Sequence, residues 1–454
     1  MELMFYNTLS KKKEIFKPLK EGEVSLYECG PTVYSSPHIG NMLRYVFGDL
    51  LSRTILFNGY KLKRVMNVTD VGHLTGDSDD GEDKMEKSAL KEGKTAEDIA
   101  NFYWNEFKED FKKLNILEPN IWCKATEHIK EQIELIKKLE KKGATYKTSD
   151  GIYFDSSQFS EYGKLSGNKQ ENLDAGNRIA LKEKKNPSDF ALWKFSFPED
   201  KRQQEWASPW GVGFPGWHIE CSAMSMKYLG ETIDIHTGGA DNIFPHHENE
   251  IAQSEMANDQ PFVKYWMHNG FLTFKGEKVS KSKGGLYTIS ELEEKGFSPL
   301  SYKYLCLNTI YRKPLDFSLE ALENAQISLK RLKNIISSLE DDGKINEDYL
   351  NRFKEAINDD LNSPKALAVL WELVRDESAV GKIQTIKKID EVFGLRLFEK
   401  ENMEIPEEIK KIAEERLIVK KNKDWKKSDE LRDKINSLGW NIRDSKESYE
   451  LEKI

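Results

Sequence analysis

Two kinds of hydrophobic pattern alternate along the first part of the chain. The segment from Val24 to Tyr34 is rich in β-branched and aromatic residues and is followed by turn signals, which is typical of a strand. An apolar-periodic run from Tyr45 to Leu56 predicts a helix, and Lys63 to Thr69 predicts a second strand. Strands that alternate with helices favour a parallel α/β sheet whose loops gather at one edge.

The strand pattern returns much later, at Thr232 to His236 and at Tyr265 to Phe274. Between the two halves lie a lysine-rich predicted helix, from Thr126 to Lys142, and a polar stretch to about Lys201 that we expect to be irregular. We therefore predict one Rossmann-like, parallel-sheet nucleotide-binding domain that is split by an insertion.

Helical periodicity dominates from Ser318 onward, and a cap-like Asn362-Ser363-Pro364 opens a helix predicted over Lys365 to Val374. From about Ile409 we expect one charged helix and a short tail at Gly439. The predicted boundaries are 1–125 and 206–285 for the two catalytic halves, 126–205 for the connective insertion, 286–317 for a connecting region, 318–400 for an α-helical bundle and 405–454 for a small C-terminal domain.

The composition narrows the class of protein. The chain has 454 residues, a length that predicts several domains, and its 69 basic and 77 acidic residues give a net charge of −8. That charge excludes a wholly basic nucleic-acid coat but not a local basic patch. Four scattered cysteines exclude a disulfide-rich secreted scaffold and a zinc finger built from CxxC pairs. Because the apolar stretches are too short for a membrane span, we expect a soluble cytoplasmic protein with no membrane partner.

Two polar turns have the chemistry of a phosphate site. In His38-Ile39-Gly40-Asn41, at a strand-to-helix turn, backbone N–H groups attract phosphate, Gly40 permits close approach and His38 can donate to a phosphoryl oxygen. Lys278 and Lys281, two of the residues of a KVSKS sequence, can offset the charge of a departing pyrophosphate. Each segment also has a simpler interpretation. The first could be an ordinary turn, and the second could be a solvated basic loop.

Four scattered side chains form a candidate zinc site. His246 and Glu250 are four residues apart and share one helix face. Two thiolates, Cys29 and Cys221, would complete a reasonable shell for this metal. The spacing alone does not bring the four together, and the alternative is that the cysteines are buried small hydrophobes and the histidines hydrogen-bonded core residues.

Seven short motifs occur in a fixed order along the chain. They are Cys29 to Tyr34, His38 to Asn41, Asn67 to Asp70, Gly216 to Cys221, Gly238 to Asp241, Phe244 to Glu250 and Lys278 to Ser282. Taken together, they resemble the cysteinyl-tRNA synthetases, a family of class I aminoacyl-tRNA synthetases. The resemblance covers almost the whole chain, including Asp359 to Pro364 and Asp424 to Asp433.

The resemblance implies an enzyme that joins L-cysteine to tRNA(Cys) through cysteinyl-adenylate, with Mg²⁺-ATP as a substrate and one zinc ion per subunit. It implies that zinc is bound by Cys29, Cys221, His246 and Glu250 and takes the thiolate of substrate cysteine as an added ligand. A soft thiolate binds zinc far better than a hydroxyl does, so the metal would separate cysteine from serine without editing. We also expect a monomer, with stem contacts from 286–317 and anticodon binding by 405–454.

The resemblance also assigns the remaining site residues. Thr69, Trp217 and Asp241 match the amino-acid pocket, with Trp217 as a wall and Asp241 as the partner of the substrate ammonium. Their plain interpretations are a strand-end turn, a core aromatic residue and a turn acid. The ATP site would comprise His38, Gly40, Asn41, Lys278 and Lys281. His73, His236 and His247 are expected to be supporting or structural residues.

Two positions depart from the family signatures. Asn41 stands at the last position of the HIGH signature, and Val279 replaces Met in KMSKS. Asn41 keeps a hydrogen-bond donor near the nucleotide but cannot become cationic, so some stabilisation of the transition state would be lost. The exchange at Val279 is an apolar one.

The charge of the C-terminal region gives separate support for an RNA partner. Eleven basic and six acidic residues between Lys410 and Arg443 give a local net charge of +5. Trp425 and Trp440 add stacking surfaces for unpaired bases, although both could equally be core residues. Two alternatives stay open: a cysteine ligase with a small amino-sugar acceptor, as in mycothiol synthesis, and a catalytically silent synthetase-like RNA-binding protein.

Overall fold

The computed structural model describes residues 2–74, 83–168, 183–197, 202–274, 276–278, 286–399, 406–444 and 448–453. The strands within these ranges are β1 (Met4–Asn7), β2 (Lys12–Ile15), β3 (Glu23–Glu28), β4 (Lys61–Val68), β5 (Ile121–Lys124), β6 (Thr145–Lys147), β7 (Gly151–Phe154), β8 (Phe190–Phe195), β9 (Gly213–Pro215), β10 (Ile233–Gly239), β11 (Val263–Asn269), β12 (Leu272–Phe274), β13 (Glu277–Lys278), β14 (Leu315–Asp316), β15 (Trp440–Asp444) and β16 (Tyr449–Lys453).

The helices of the described residues connect and cover these strands. They are α1 (Ile39–Phe57), α2 (Lys84–Glu92), α3 (Ala96–Lys113), α4 (Ile129–Lys141), α5 (Trp217–Leu229), α6 (Glu248–Asn258), α7 (Ile289–Glu294), α8 (Pro299–Leu307), α9 (Leu319–Ser337), α10 (Glu347–Asn358), α11 (Ser363–Arg375), α12 (Lys382–Phe393), α13 (Glu407–Lys421) and α14 (Trp425–Ser437). Contacts divide the chain into two units, Met1–Leu397 and Phe398–Ile454.

The centre of the first unit is a five-stranded parallel sheet with the order β11-β10-β3-β4-β5. Ile235 of β10 pairs with Leu26 of β3, so the late half of the chain joins the early half in one sheet. This confirms the predicted parallel α/β fold with an insertion between its halves. The order reverses at β3, and ligands of such sheets bind beyond the carboxyl ends of the strands at this reversal.

The insertion contains a sheet of its own, so the prediction of an irregular stretch to about Lys201 is wrong. Strands β6 to β9 pair antiparallel in sequence order. Their apolar residues, such as Phe154 and Trp193, pack against α4 and α5 in a separate core. Strand β9 lies beyond the predicted end of the insertion at residue 205.

Buried charges fix the second half of α1. The carboxylate of Asp49 accepts hydrogen bonds from Arg53 Nε at 2.8 Å and from Lys303 Nζ at 2.7 Å. Arg53 also donates to the carbonyl oxygens of Asn115, at 2.8 Å, and of Glu391, at 3.0 Å. Helix α1 is therefore tied to α8 and to the end of α12 in the helical bundle.

The second unit has two helices and a hairpin, which corrects the prediction of a single charged helix. Lys423 adopts a left-handed φ of 61°, and the side chain of Asp424 then caps α14 by accepting from the N–H of Lys427 at 3.2 Å. Strands β15 and β16 pair antiparallel after the second helix. Trp440 is only 5% exposed and belongs to the core of this unit, whereas Trp425 is 59% exposed. Of the two tryptophans, only Trp425 offers a free stacking surface.

None of the helices in the described residues is both long enough and apolar enough to cross a membrane.

Candidate active site

A cavity of about 320 Å³ opens where the carboxyl ends of β3 and β4 meet the beginning of α1. One end of this cavity contains Cys29, Cys221 and His246, and the other contains His38 and Asn41. We refer to these as the thiol end and the nucleotide end. The two predicted sites, distant in sequence, therefore line one space.

The thiol end brings the four candidate zinc ligands together. Cys29 follows β3, Cys221 lies on α5, His246 lies in the turn before α6 and Glu250 lies on α6. All four are buried, and one ligand atom from each lies within 4.8 Å of the others. This convergence is what the sequence spacing alone did not provide.

The geometry of this cluster fits a tetrahedral metal. His246 Nε2 lies 3.1 Å from Glu250 Oε1. Two ligands that bind one zinc ion at about 2.0–2.1 Å in a tetrahedral arrangement lie about 3.3 Å apart. Glu250 Oε1 is also buried, and its close polar contact is with His246 Nε2, itself a candidate ligand, so one metal ion could take both atoms. A donor set of two sulfurs, one nitrogen and one oxygen suits zinc.

A bound cation would change the protonation of the two cysteines in this cluster. Burial raises the pKa of the Cys29 thiol. The adjacent Cys29 and burial together raise the pKa of Cys221 well above its usual value. Burial alone would raise the pKa of Glu250, but His236 and His246 outweigh it and lower this pKa to about 2. The thiols are thus neutral without a cation and would lose their protons on binding one.

Four further histidines surround the cluster, and one of them, His218, has its Nδ1 2.9 Å from Nδ1 of His246. His236 Nε2 lies 2.9 Å from Glu250 Oε2, the carboxylate oxygen opposite the candidate ligand atom. His247 Nε2 lies 3.3 Å from Cys29 Sγ, and its Nδ1 lies 2.7 Å from His268 Nε2. Such contacts orient ligand side chains and select the imidazole tautomer.

A second combination of potential ligands overlaps the first. Cys29, His236, His247 and Glu250 also come within 4.8 Å of one another. In that combination, however, His236 already occupies the second carboxylate oxygen of Glu250 and His247 already contacts His268. The combination with Cys221 and His246 uses two sulfur donors and leaves these contacts intact, so it is the better zinc site.

The nucleotide end is formed by the capping turn of α1. His38 Nδ1 accepts from the N–H of Asn41 at 3.2 Å, and Asn41 Oδ1 accepts from the N–H of His38 at 3.1 Å. The two side chains thus form a reciprocal capping box. A Cβ at Gly40 would lie 3.0 Å from His38 Nδ1, so glycine lets the imidazole fold over the turn.

The predicted amino-acid pocket lies between the two ends. Thr69, Trp217 and Asp241 all line the cavity. Asn67 Nδ2 donates to Thr69 Oγ1 at 3.0 Å, while Asn67 Oδ1 accepts from the N–H of Gly30 at 2.7 Å. The indole of Trp217 lies 4.6 Å from the His246 ring, centroid to centroid. Trp217 therefore forms a wall beside a candidate metal ligand.

A second cavity of about 250 Å³ adjoins the first and shares Trp217 and Asp241 with it. His73 lines this second cavity, and its Nε2 lies 2.8 Å from the buried carboxylate of Glu220. His73 is thus separated from the four-ligand cluster, unlike His236 and His247.

Lys281 and Val279 lie outside the described residues, and so does the side chain of Lys278.

Three residues of the site were missed by the sequence analysis, and one is His218, which contacts the candidate ligand His246. Arg44 lines the cavity one turn beyond Asn41, and the spacing of three residues on a helix was the available signal. His268, at the end of β11, contacts His247 and Thr8 in a buried chain of polar groups. A histidine in an apolar strand carries no local signal of such a role.

Comparisons with known proteins agree with this geometry. A family model described as the class I (C) tRNA synthetase catalytic domain matches residues 15–327, and a DALR domain model matches residues 352–398. A protein of Burkholderia lata named cysteine–tRNA ligase 1 is 46% identical over 455 residues, which cover 99% of this chain and 97% of that protein. A cysteine–tRNA ligase of Treponema denticola is 45% identical, with 98% of each chain covered.

A solved structure shares the fold at low identity. Methionyl-tRNA synthetase of Mycobacterium tuberculosis, in complex with methionyl-adenylate, matches with a TM-score of 0.56 and 14% identity. The match covers 82% of this chain and 90% of that one. It supports the parallel-sheet fold and the helical region that follows it.

Proposed function

The chain belongs to the cysteinyl-tRNA synthetases, class I enzymes that charge tRNA with cysteine, and from this premise we propose that a zinc ion at the thiol end recognises the substrate. The observation that carries the proposal is the convergence of Cys29, Cys221, His246 and Glu250 within 4.8 Å of one another. The first three of these line the same cavity as the capping turn of α1. When bound there, zinc supplies a soft Lewis acid that prefers the thiolate of cysteine to the hydroxyl of serine.

The protein side chains position the rest of the amino acid. Asp241 is exposed at the cavity and provides a carboxylate for the substrate ammonium. Trp217 closes one side of the pocket beside His246. Thr69, held by Asn67, borders it from the end of β4. Binding the amino acid at several points holds its carboxylate near the nucleotide. Holding two reactants in this way is how an enzyme catalyses by positioning.

The first chemical step forms cysteinyl-adenylate. A carboxylate oxygen of cysteine attacks the α-phosphorus of ATP, and the bond from that phosphorus to the bridging oxygen of pyrophosphate breaks. We assign His38 and the turn to Asn41 to ATP, because the dipole at the N-terminus of α1 favours phosphate and the His38 imidazole can donate to a phosphoryl oxygen. The N–H groups of His38, Ile39 and Asn41 already donate to protein atoms of the cap and of Tyr287. Lys278 and Lys281 would offset charge on the leaving pyrophosphate.

The second step transfers the cysteinyl group to tRNA. A terminal ribose hydroxyl attacks the carbonyl carbon of the adenylate, and AMP leaves. No covalent intermediate with the protein is needed. We propose that the basic C-terminal unit binds the anticodon region and that its exposed Trp425 stacks on an unpaired base. We also propose that the enzyme acts as a monomer with one zinc per chain.

Cysteine-dependent exchange of pyrophosphate into ATP tests the zinc proposal. The purified enzyme should contain about one zinc per chain and should catalyse exchange. A strong chelator should abolish exchange with cysteine, and added zinc should restore it. Exchange that continues at the full rate in metal-free protein would refute recognition by zinc while leaving the family assignment intact.

Charging of tRNA tests the C-terminal proposal. Trp425→Ala should raise KM for tRNA and leave the exchange reaction unchanged. Trp440→Phe is a suitable comparison, because Trp440 lies in the core of the same unit and should affect stability instead. An equal KM for tRNA in Trp425→Ala and in the unchanged enzyme would refute the stacking role.

A further inference from the structure

An arginine with no carboxylate partner among the described residues lines the candidate catalytic cavity. Arg44 of α1 lines the same space as Cys29, Asn41 and Asp241. Its Nε is buried and makes no hydrogen bond to any residue that the structure describes. A buried donor of a charged group that lacks a partner is costly, so it indicates a missing ligand.

Other buried arginines of the protein are paired with carboxylates. Arg64 donates to Glu28 at 2.7 Å, Arg53 to Asp49 at 2.8 Å and Arg416 to Asp444 at 2.7 Å. No carboxylate among the described residues comes within ion-pair distance of Arg44. Arg416 Nε is also buried without a hydrogen bond, but both terminal nitrogens of Arg416 donate to Asp444, at 2.7 and 3.1 Å. Arg44 differs because no carboxylate among the described residues holds its guanidinium in this way.

The charge of Arg44 is maintained by its surroundings. Burial alone would lower its pKa, but Tyr45 and the carboxylates of Asp241 and Glu28 outweigh it and raise this pKa. Conversely, burial and nearby positive groups, Arg44 among them, lower the pKa of His268 to about 3. The guanidinium is thus a fixed cation in a polar cavity, and its natural ligand is an anion.

The position of Arg44 identifies which anion. The substrate thiol would be held at the metal site formed by Cys29, Cys221, His246 and Glu250, and Asp241 is the candidate for its ammonium. The phosphates of ATP are assigned to the N-terminus of α1 at His38, one to two turns earlier on the helix. The remaining anionic group is the α-carboxylate, which must lie between the amino-acid pocket and the nucleotide. A guanidinium matches a carboxylate through two parallel hydrogen bonds.

We infer that Arg44 binds the α-carboxylate of cysteine and orients it for attack on ATP. This inference rests on the proposed function of the cavity. Arg44 exchanges no proton: one carboxylate oxygen forms the bond to the α-phosphorus as pyrophosphate leaves, and the guanidinium retains the other oxygen. Because Asn41 cannot carry charge, Arg44 also supplies a permanent cation on the same face of α1.

Cysteamine is the probe that isolates this contact, since it keeps the thiol and the ammonium of cysteine and lacks the carboxylate. Calorimetry should compare the binding of cysteine and cysteamine to zinc-loaded Arg44→Met, Arg44→Lys and unchanged enzyme. In Arg44→Met, we expect cysteine to bind about 10- to 100-fold more weakly, the range for losing a hydrogen bond to a charged group. Cysteamine should change by less than about threefold, and Arg44→Lys should recover part of the loss.

Arg53→Met is the matched control, because it removes an arginine of the same helix whose donors all bind protein groups. It should lower the melting temperature and leave the ratio of cysteine to cysteamine affinity unchanged. Equal weakening of both ligands in Arg44→Met, or unchanged binding of both, would overturn the inference. If Arg44→Met does not fold, the same ratio in Arg44→Lys decides. Failure of the unchanged enzyme to bind cysteine in the presence of zinc would instead refute the proposed function.

Discussion

The thiol end and the nucleotide end of the cavity are built in different ways. At the thiol end, four buried side chains come from three separate parts of the chain, and other histidines contact three of them. At the nucleotide end, the side chains of His38 and Asn41, which are three positions apart, cap one helix. Each side chain accepts a hydrogen bond from the backbone N–H of the other residue. The cluster of candidate metal ligands thus depends on tertiary packing, whereas the capping turn depends on local sequence. Substitutions should therefore have different signatures at the two ends.

The largest effect is expected at the thiol end. Cys221→Ser should lose most of its zinc and slow cysteine-dependent exchange by more than about 100-fold, because loss of even a supporting partner costs 10- to 100-fold in metal proteins. Metal analysis of the purified variant and exchange kinetics check this. The control is Cys123→Ala, which removes another buried cysteine outside the cluster and should keep its zinc. Full zinc content in Cys221→Ser would show that the ligand set is wrong.

The next effect is expected at the nucleotide end. His38→Ala should reduce kcat of exchange by about 100-fold, the usual result of removing one donor to a developing charge. It should also reduce the free energy of unfolding by about 1 kcal/mol, because the cap of α1 is lost. Zinc content should stay at one per chain. A variant that loses zinc as well would show that the two ends are not independent.

Removal of the hydrogen bond that His236 makes to Glu250 should have an intermediate effect. His236→Phe keeps the ring stacked on Trp266 but removes the hydrogen bond to Glu250 Oε2. We expect the affinity for zinc to fall about tenfold, as measured by competition with a chelator. His236→Gln, which can still donate to Glu250, should lose less. Equal affinities in the two variants would assign the effect to packing and not to the hydrogen bond.

The smallest effect is expected for Asn41→Asp, which should change the stability of the helix and the binding of ATP in opposite directions. Asn41→Asp retains the acceptor for the N–H of His38, and a negative charge near a helix N-terminus is favourable by about 0.3–1 kcal/mol. The same charge repels phosphate, so KM for ATP should rise by about fivefold, corresponding to about 1 kcal/mol between charges in water at contact distance. Thermal unfolding and exchange kinetics measure the two effects. A lower KM for ATP would contradict the placement of phosphate at this turn.

The same contrast explains what the sequence predicted. The turn from His38 to Asn41 and the spacing of His246 and Glu250 are local, and both groupings are present in the structure. The parallel sheet followed from alternating patterns and is confirmed. The approach of Cys29 to Cys221 depends on the pairing of β3 with β10 and on the packing of α5, so no local pattern indicates it.

The missed features have physical reasons. The sheet of the insertion was overlooked because its strands are as short as three residues and are separated by polar segments. The break between α13 and α14 was overlooked because basic residues continue on both sides of Lys423 and Asp424. Arg44 was overlooked because an arginine in a helix is most often a surface residue.

The buried charges along α1 have a mechanical consequence. This helix has 19 residues and is therefore about 28 Å long, with the capping turn at one end and Arg53 in its last turns. Arg53 and Lys303 hold that far end against the bundle through Asp49 and the carbonyl oxygen of Glu391. A helix is stiff over this length, so α1 moves as a rigid rod whose second half is fixed to the bundle. A tilt of the bundle would therefore move the imidazole of His38. Binding of a large ligand to the bundle helices would in this way change the position of the proposed phosphate site.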